Sequence, residues 1–431
     1  MHLPAKPEYR NQMKGSNAML LDICKTHRKR YGYLIRQKRL QSGYTQKELI
    51  EMLHHEVSLR SYIAMENGKI LQDMELYDQI FAQLDLHYNY TCDPDPLLNP
   101  VLEELFLAWN AYDDTACISC LKELLRLLAP YRQFSWEAIL YNSILILLEA
   151  VKEDRLLTQS EYAWFMQYRS IYPLKLQSML ATILYQYQYQ LPHDQKQLRE
   201  LLHHFPMLAH PDGVRNCITY ALHQTNLEHN DLPAWQQLQK YRKQEENSGN
   251  WTALFDLYHW LCLISARIHV PAFEGLHMTC ERLLQNHAIQ EERKLTYYFN
   301  LSGVYHTAKD YAMEEHYLQL FLAERKKQLL PFLFWYIHNQ RLQKKCIDSL
   351  LSRTYDVRDC SRRLQILWGF YERLPHTDAK AAQSYIMKEC LPLLSELALE
   401  FQLVFLHELQ LLITRTRNYK DLHIYMEQLH L

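Results

Sequence analysis

Glycine is scarce in this chain, and its distribution limits the fold. Nine glycines occur among 431 residues; four lie at or before Gly68, and five are spread over the remaining 363 residues. Tight hairpins between strands need more turn-forming residues than this. Apolar residues instead recur at helical spacing, as in Leu121, Leu124, Leu125 and Leu128, or in Leu393, Leu394, Leu397 and Phe401. The sequence therefore predicts an all-α protein.

Long apolar runs and closely spaced cysteines are also missing. The longest apolar run, 138–151, contains Asn142 and Ser143, so it is shorter than the roughly 20 residues that cross a bilayer. Residues 1–17 are polar and lack the apolar section of a signal peptide. The ten cysteines do not have the short spacings of a disulfide scaffold. We expect a cytoplasmic protein with reduced cysteines and no membrane segment.

Acidic residues are absent from one stretch near the N-terminus. Between Ile23 and Lys47 the chain has eight Lys or Arg and no Asp or Glu. Residues 1–90 hold 13 basic and 10 acidic residues, a net charge of +3, whereas the rest holds 34 and 39, a net charge of −5. A basic patch of this kind attracts phosphate groups, because phosphate binding releases counterions. The alternative is an ordinary solvated helix face.

Prolines divide the chain into segments. Residues 91–100, TCDPDPLLNP, contain three prolines and two aspartates, which should break any helix. We therefore predict a poorly ordered leader at 1–22, a DNA-binding domain at 23–90, a linker at 91–100 and a helical body at 101–431.

The body contains one good candidate for a helical repeat. The segment Phe299–Leu322 resembles a tetratricopeptide repeat, with small Ser302 at a close helix contact and a turn at 309–311. A looser copy occurs at Leu105–Leu125. These segments favour an irregular tetratricopeptide-like array, and a plain helical bundle is the alternative.

Residues 33–53 contain the parts of two short helices. Leu34, Ile35 and Leu40 are expected on the inner face of the first helix, with Arg36, Lys38 and Arg39 directed outward. Thr45 is at an N-cap position, and Glu48, three residues later, can complete a capping box. Leu49, Met52 and Leu53 are the predicted buried face of the second helix.

A third helix is predicted at Leu59–Glu66, with Ser58 as its N-cap. Tyr62 and Met65 are expected to face inward, and Leu59, Arg60 and Ile63 outward. Asn67 and Gly68 then end the helix with a residue pair that tolerates left-handed geometry. This order of elements is typical of a helix-turn-helix module, whose last helix enters the major groove.

The pattern Arg36–Arg39, Gly43, Thr45-Gln46, Leu49 and 66–69 resembles the helix-turn-helix of the Xre/Cro/C1 type. The resemblance covers about 60 residues and implies DNA contacts from Arg36, Lys38, Arg39, Gln46, Lys47, Ser58, Arg60, Ser61 and Lys69. The sequence departs from that family in two ways. Two extra residues occur near 54–56, and Leu59, Ile63 and Ala64 replace side chains that are often polar, so base readout is expected to be low or unusual.

A helix-turn-helix followed by a long helical body is similar to the peptide-sensing regulators of the Rgg, NprR, PlcR and PrgX group. This resemblance implies a homodimer whose body binds a short signalling peptide. Asn side chains can satisfy a peptide backbone, and Tyr gives apolar contact with little loss of entropy. The predicted peptide-binding residues are Asn142, Asn300, Tyr305, Tyr336 and Asn339.

Other chemical motifs are weak. Cys117 and Cys120 form a C-x-x-C without a second pair, and the adjacent histidines at 54–55 and 203–204 diverge on a helix. The sequence has no phosphate-binding glycine loop and no G-x-S-x-G motif. We predict no enzymatic activity, no cofactor and no metal. Two functions remain open: a DNA-binding regulator that senses a peptide, or a helical interaction scaffold whose module no longer reads specific DNA.

Overall fold

The protein is helical throughout the part of the chain that the structure describes. This structure is a computed structural model that describes residues 25–53, 57–69, 74–90, 93–153, 155–190, 195–208, 210–269, 271–325, 330–351, 361–394 and 399–429. These residues form α-helices with short 3-10 and π segments and contain no strand, which confirms the all-α prediction. No helix among them combines the length and the apolar character that a bilayer-spanning segment needs. The predicted leader at 1–22 and the extra residues at 54–56 lie outside the described residues.

The chain divides into two compact units, and the division falls between Leu184 and Tyr185. The helices of the first unit are α1 Lys25–Gln41, α2 Gln46–Glu51, α3 Leu59–Glu66, α4 Met74–Gln83, α5 Asp95–Asn110, α6 Asp114–Leu128, α7 Ser135–Glu153 and α8 Gln159–Tyr168. Helix α9, Leu174–Gln190, contains the division.

The second unit continues with a longer series of helices. They are α10 Gln195–His204, α11 Val214–Asn226, α12 Asp231–Glu245, α13 Trp251–Arg267, α14 Phe273–Asn286, α15 Glu291–Thr307, α16 Tyr311–Glu324, α17 Leu330–Leu342, α18 Asp348–Leu351, α19 Arg362–Arg373, α20 Ala379–Tyr385, α21 Leu391–Leu394, α22 Leu399–Thr416 and α23 Lys420–Leu429. A π-helical segment, Ile386–Cys390, joins α20 to α21.

Helical hairpins recur in both units and share one type of turn. The α5–α6 turn has Tyr112 at φ 59°, followed by Asp113, whose side chain caps α6 by accepting from the Ala116 N–H. The α15–α16 turn repeats this with Lys309 at φ 60° and Asp310 as the cap. Both repeat candidates are therefore helical hairpins in the structure, and an aspartate cap at each turn fixes where the second helix begins.

The predicted linker does not hold for residues 95–100. Helix α5 begins at Asp95 and contains both Pro96 and Pro100. Pro96 lies in the first turn, where backbone N–H groups have no intrahelical partner, whereas Pro100 lies inside the helix and removes one backbone donor there. Leu98 is buried, so this segment belongs to the core of the first unit.

An aromatic core lies near the C-terminal end of the second unit. Phe334 of α17 packs on Tyr371 of α19 and on Phe405 of α22, with ring centroids 5.7 Å apart in both pairs. Each of these rings is almost completely buried. The core holds α17 and α22 side by side and thereby sets the positions of the polar side chains on those helices.

Candidate DNA-binding surface

Helix α1 lies directly against the end of α3 because two glycines let their backbones approach. A Cβ atom on Gly32 would lie 2.4 Å from the carbonyl oxygen of Met65. Gly68 ends α3 at φ +72°, and a Cβ there would lie 2.6 Å from the Cα of Lys29. Both positions therefore require glycine, and they fix the angle between the two helices.

Helices α2 and α3 begin at the N-cap residues expected from the sequence, Thr45 and Ser58. The Thr45 hydroxyl accepts from the Glu48 N–H, and the Glu48 carboxylate accepts from the Thr45 N–H at 2.7 Å. Ser58 caps α3 by accepting from the Ser61 N–H at 3.1 Å. The capping box and the bounds of α3 are therefore confirmed.

A buried ion pair joins α1 to α3. The Arg39 guanidinium donates from Nε to Glu66 Oε1 at 2.6 Å and from Nη1 to the Tyr44 carbonyl at 2.7 Å. The Gln46 amide donates to the other oxygen, Glu66 Oε2, at 2.7 Å. Arg39 and Glu66 are each 6% exposed, so the expected outward position of Arg39 is wrong. Its charge is used within the protein, because a buried carboxylate needs a partner.

Basic side chains remain on the surface around these helices. Arg36, Lys47, Arg60 and Lys69 are exposed, and Lys38 is half-buried. Of the remaining predicted contacts, Ser58 is exposed, whereas Ser61 and Gln46 are half-buried. Among the described residues, none of these four exposed cations forms an ion pair. This part of the structure therefore presents positive charge to solvent.

Several apolar side chains also lie on this surface. Leu59 and Ile63 of α3 are each 37% exposed, as predicted, while Tyr62 and Met65 are buried. Leu40 and Met52 were expected inside, but they are 53% and 41% exposed. Leu34, Ile35 and Leu49 fill the inner face as predicted, and Arg39 takes the remaining inward position on α1.

Helix α1 is also bound to later helices of the first unit. Arg30 donates two hydrogen bonds to the Asp95 carboxylate, at 2.9 and 2.8 Å, and its guanidinium lies 3.9 Å from the centre of the Trp136 ring. Next to Trp136, burial raises the pKa of Glu137 to about 7. Helices α1, α5 and α7 thus share one core.

The predicted peptide-binding residues fall into two groups. Asn142 is exposed on α7 in the first unit. Tyr305, Tyr336 and Asn300 are half-buried in the second unit, where Tyr305 stacks on Tyr317 with ring centroids 5.6 Å apart. The Tyr336 hydroxyl accepts from the Gln319 amide at 3.0 Å, and the Asn300 amide lies 3.2 Å from His259 Nε2.

Asn339 is not at a surface. It is fully buried, and its amide donates to the Tyr311 carbonyl at 2.8 Å while its oxygen accepts from Gln340 and Gln343. The side chain therefore holds α17 against the start of α16, and the expectation that it faces a groove is corrected.

The C-x-x-C pair does not form an activated thiol. Cys117 is fully buried on α6, and burial raises the pKa of the Cys120 thiol, with Glu104 and Asp113 adding to the effect. A thiolate nucleophile needs the opposite shift.

Sequence analysis missed the pairing of Glu66 with Arg39. A signal was available, because an acidic residue in the last turn of α3 follows a stretch, residues 23–47, that has eight basic residues and no acidic residue. Comparison of the chain with protein-family models, with curated proteins and with solved structures finds no match.

Proposed function

We propose that this protein is a DNA-binding transcriptional regulator whose residues 25–69 bind the DNA backbone and whose helical body senses a short peptide and forms a homodimer. The observation that supports it best is the pair of capped helices α2 and α3, held on α1 by the Arg39–Glu66 ion pair, with exposed cations beside them. A rigid pair of helices with basic flanks suits a groove lined with phosphates.

The phosphate contacts are assigned to Arg36, Lys47, Arg60 and Lys69, because these side chains are exposed. Arg39 and Gln46 act indirectly in this proposal, since their polar atoms hold Glu66. Leu59 and Ile63 would meet thymine methyl groups, so they give weaker base discrimination than Arg or Asn would.

Selection of bound duplexes from a randomised library, followed by salt titration of the best duplex, tests this function. We expect sequence-selective binding that weakens steeply with salt, and replacing all four cations by Ala should lower the slope of log K against log salt by up to about 3.6, at about 0.9 per phosphate. The Lys152→Ala variant is the control, because Lys152 is exposed on α7. Absence of selected sequences, or equal slopes in both variants, would contradict the proposal.

The peptide site is assigned to Asn300, Tyr305 and Tyr336, which are half-buried in the second unit. Peptides encoded beside the gene would be titrated by calorimetry into the chain and into its Tyr336→Phe and Asn300→Ala variants. Unchanged heat and affinity in both variants would remove these residues from the site. A contact from Asn142, which is exposed in the first unit, is tested separately with Asn142→Ala.

The exposed apolar groups favour a second function. Leu40, Met52, Leu59 and Ile63 are each 37% exposed or more, and apolar residues on a recognition helix suit a protein partner better than DNA. An interaction scaffold of this kind would bind unrelated duplexes equally weakly. The salt and selection experiment therefore separates the two functions.

A further inference from the structure

Three histidines from three helices of the second unit form one cluster. His306 lies in the last turn of α15, His338 on α17 and His407 on α22. One ring nitrogen of each lies within 4.8 Å of one ring nitrogen of the other two. The ring centroids of His306 and His407 are 5.4 Å apart, and those of His338 and His407 are 5.6 Å apart, with the rings nearly parallel in both pairs.

Buried carboxylates orient two of these rings. His338 Nδ1 lies 2.8 Å from Glu408 Oε1, and His306 Nδ1 lies 3.1 Å from both oxygens of Glu314. Both carboxylates are at most 1% exposed. An ionised carboxylate only accepts hydrogen bonds, so each Nδ1 carries the proton and each Nε2 keeps its lone pair. Carboxylates hold metal-binding histidines in this same tautomer.

The His338 ring is fully buried, and its Nε2 has no hydrogen-bond partner among the residues that the structure describes. A buried nitrogen without a partner is costly, and each such group calls for a physical explanation. A bound cation would supply one.

Local charge also favours a cation. Glu314 and Glu408 contribute two negative charges, and Arg341, which donates from Nε to Glu408 Oε2 at 2.8 Å, contributes one positive charge. The charged groups around the three rings therefore sum to −1, which a divalent cation would offset.

We propose that His306, His338 and His407 bind one Zn²⁺ ion, with Glu314 and Glu408 as the groups that orient two of the ligands. Zn–N bonds of about 2.0–2.1 Å in tetrahedral geometry put ligand nitrogens about 3.4 Å apart. The nitrogens now lie within 4.8 Å of one another, so Zn²⁺ binding would draw them closer together. Three protein ligands leave a fourth position for water or a small anion.

A competition titration against a chromophoric chelator, on full-length protein freed of metal, tests the proposal. We expect one Zn²⁺ per chain. Binding should be about ten- to hundredfold weaker in Glu314→Gln, which loses only the orientation of a ligand, and the loss in His407→Gln should be at least as large, because that variant loses a ligand. His376→Gln is the matched control, since His376 is exposed in the 3-10 segment Leu374–His376, and it should bind as the parent does.

Co²⁺ gives a second readout on the unaltered chain and does not depend on any variant folding. Intense visible absorption, which four-coordinate Co²⁺ shows and six-coordinate Co²⁺ does not, supports the site, and weak absorption overturns it. Zn²⁺ in excess should also raise the unfolding temperature of the parent and of His376→Gln, but not that of His407→Gln. Equal Zn²⁺ affinity in the parent and in His407→Gln would refute the assignment.

Discussion

At the scale of single residues, the candidate DNA-binding surface depends on charges that solvent does not reach. Arg39 and Glu66 lie between α1 and α3, and Gln46 completes the hydrogen bonding of the Glu66 carboxylate. Such a pair adds little net stability when it is complete, but removing one partner leaves a buried charge. The main effect of the Arg39–Glu66 pair is on geometry, because with Gln46 it fixes the positions of α2 and α3 relative to α1.

Replacing Arg39 by Met should destabilise the first unit by about 3–5 kcal/mol, since Glu66 then remains buried without its cation. The double variant Arg39→Met/Glu66→Gln should recover part of this loss. Urea unfolding measures both values. Arg36→Met is the control, because Arg36 is exposed on the same helix, and its effect should stay within about 0.5 kcal/mol. A single variant as stable as the control would contradict the role of the pair.

Glu137 should make the stability of the first unit depend on pH. Burial raises its folded pKa from 4.5 to about 7, with Asp95 raising it further and Arg30 and the Asn89 side chain opposing the shift. Between these values the folded state binds the proton and the unfolded state does not. The stabilisation is therefore complete below about pH 4.5 and is lost as the pH rises through about 7. The loss is roughly 3 kcal/mol at most.

Urea unfolding of the parent and of Glu137→Gln at several pH values between 5 and 8 measures this effect. The stability of the variant relative to the parent should rise with pH across the window, because Gln does not ionise. Glu149→Gln, exposed on the same helix α7, is the matched control and should follow the parent. A pH-independent difference between Glu137→Gln and the parent would exclude Glu137 as the source.

At the scale of helices, local signals in the sequence predict where helices begin and end better than which face is buried. The caps at Thr45 and Ser58 are confirmed because side chains three residues apart decide them. The orientation of α1 is decided by contacts with residues far away in the chain. Arg39 faces inward because it pairs with Glu66 of α3, and its neighbour Leu40 is therefore exposed. Periodicity alone cannot distinguish these two neighbours.

The predicted linker failed for a related reason. Prolines in residues 95–100 suggested an interruption, but Asp95 binds Arg30 of α1 and Leu98 is buried, so tertiary contacts hold this segment in a helix. The histidine cluster was equally hidden, since His306, His338 and His407 are far apart in the chain and only the packing of three helices brings them together.

Gly32 offers a test of how α1 packs on α3. Replacing Gly by Ala inside a helix usually adds up to about 1 kcal/mol of stability. At Gly32 the new Cβ would lie 2.4 Å from the Met65 carbonyl oxygen, so the helices must separate. We expect Gly32→Ala to destabilise the first unit by about 1–3 kcal/mol in urea unfolding.

The matched control is Gly303→Ala on α15, where no atom of the described residues lies within 4 Å of the added Cβ. This variant should be neutral or slightly more stable, because it only restricts the unfolded chain. If both substitutions had the same sign, the close approach at Gly32 would not govern the packing.

At the scale of the whole molecule, the N-terminal 90 residues and the rest of the chain carry net charges of opposite sign. Residues 1–90 carry a net charge of +3 and the rest a net charge of −5. In the proposed regulator, one small basic module would give limited affinity for DNA, and the acidic remainder would add no attraction to phosphate. The proposed regulator therefore needs two modules on one duplex, which a homodimer would supply.

Insertions between the half-sites of a selected duplex test this requirement. Paired helix-turn-helix modules meet DNA on one side, with half-site centres about 10–10.5 base pairs apart. Inserting five base pairs turns one half-site to the opposite side, so affinity should fall at least tenfold, whereas ten inserted base pairs should restore part of it. Sedimentation should show a dimer for the free protein and two chains per duplex for the complex. Equal affinity for all three spacings, or one chain per duplex at saturation, would mean that a single module binds alone.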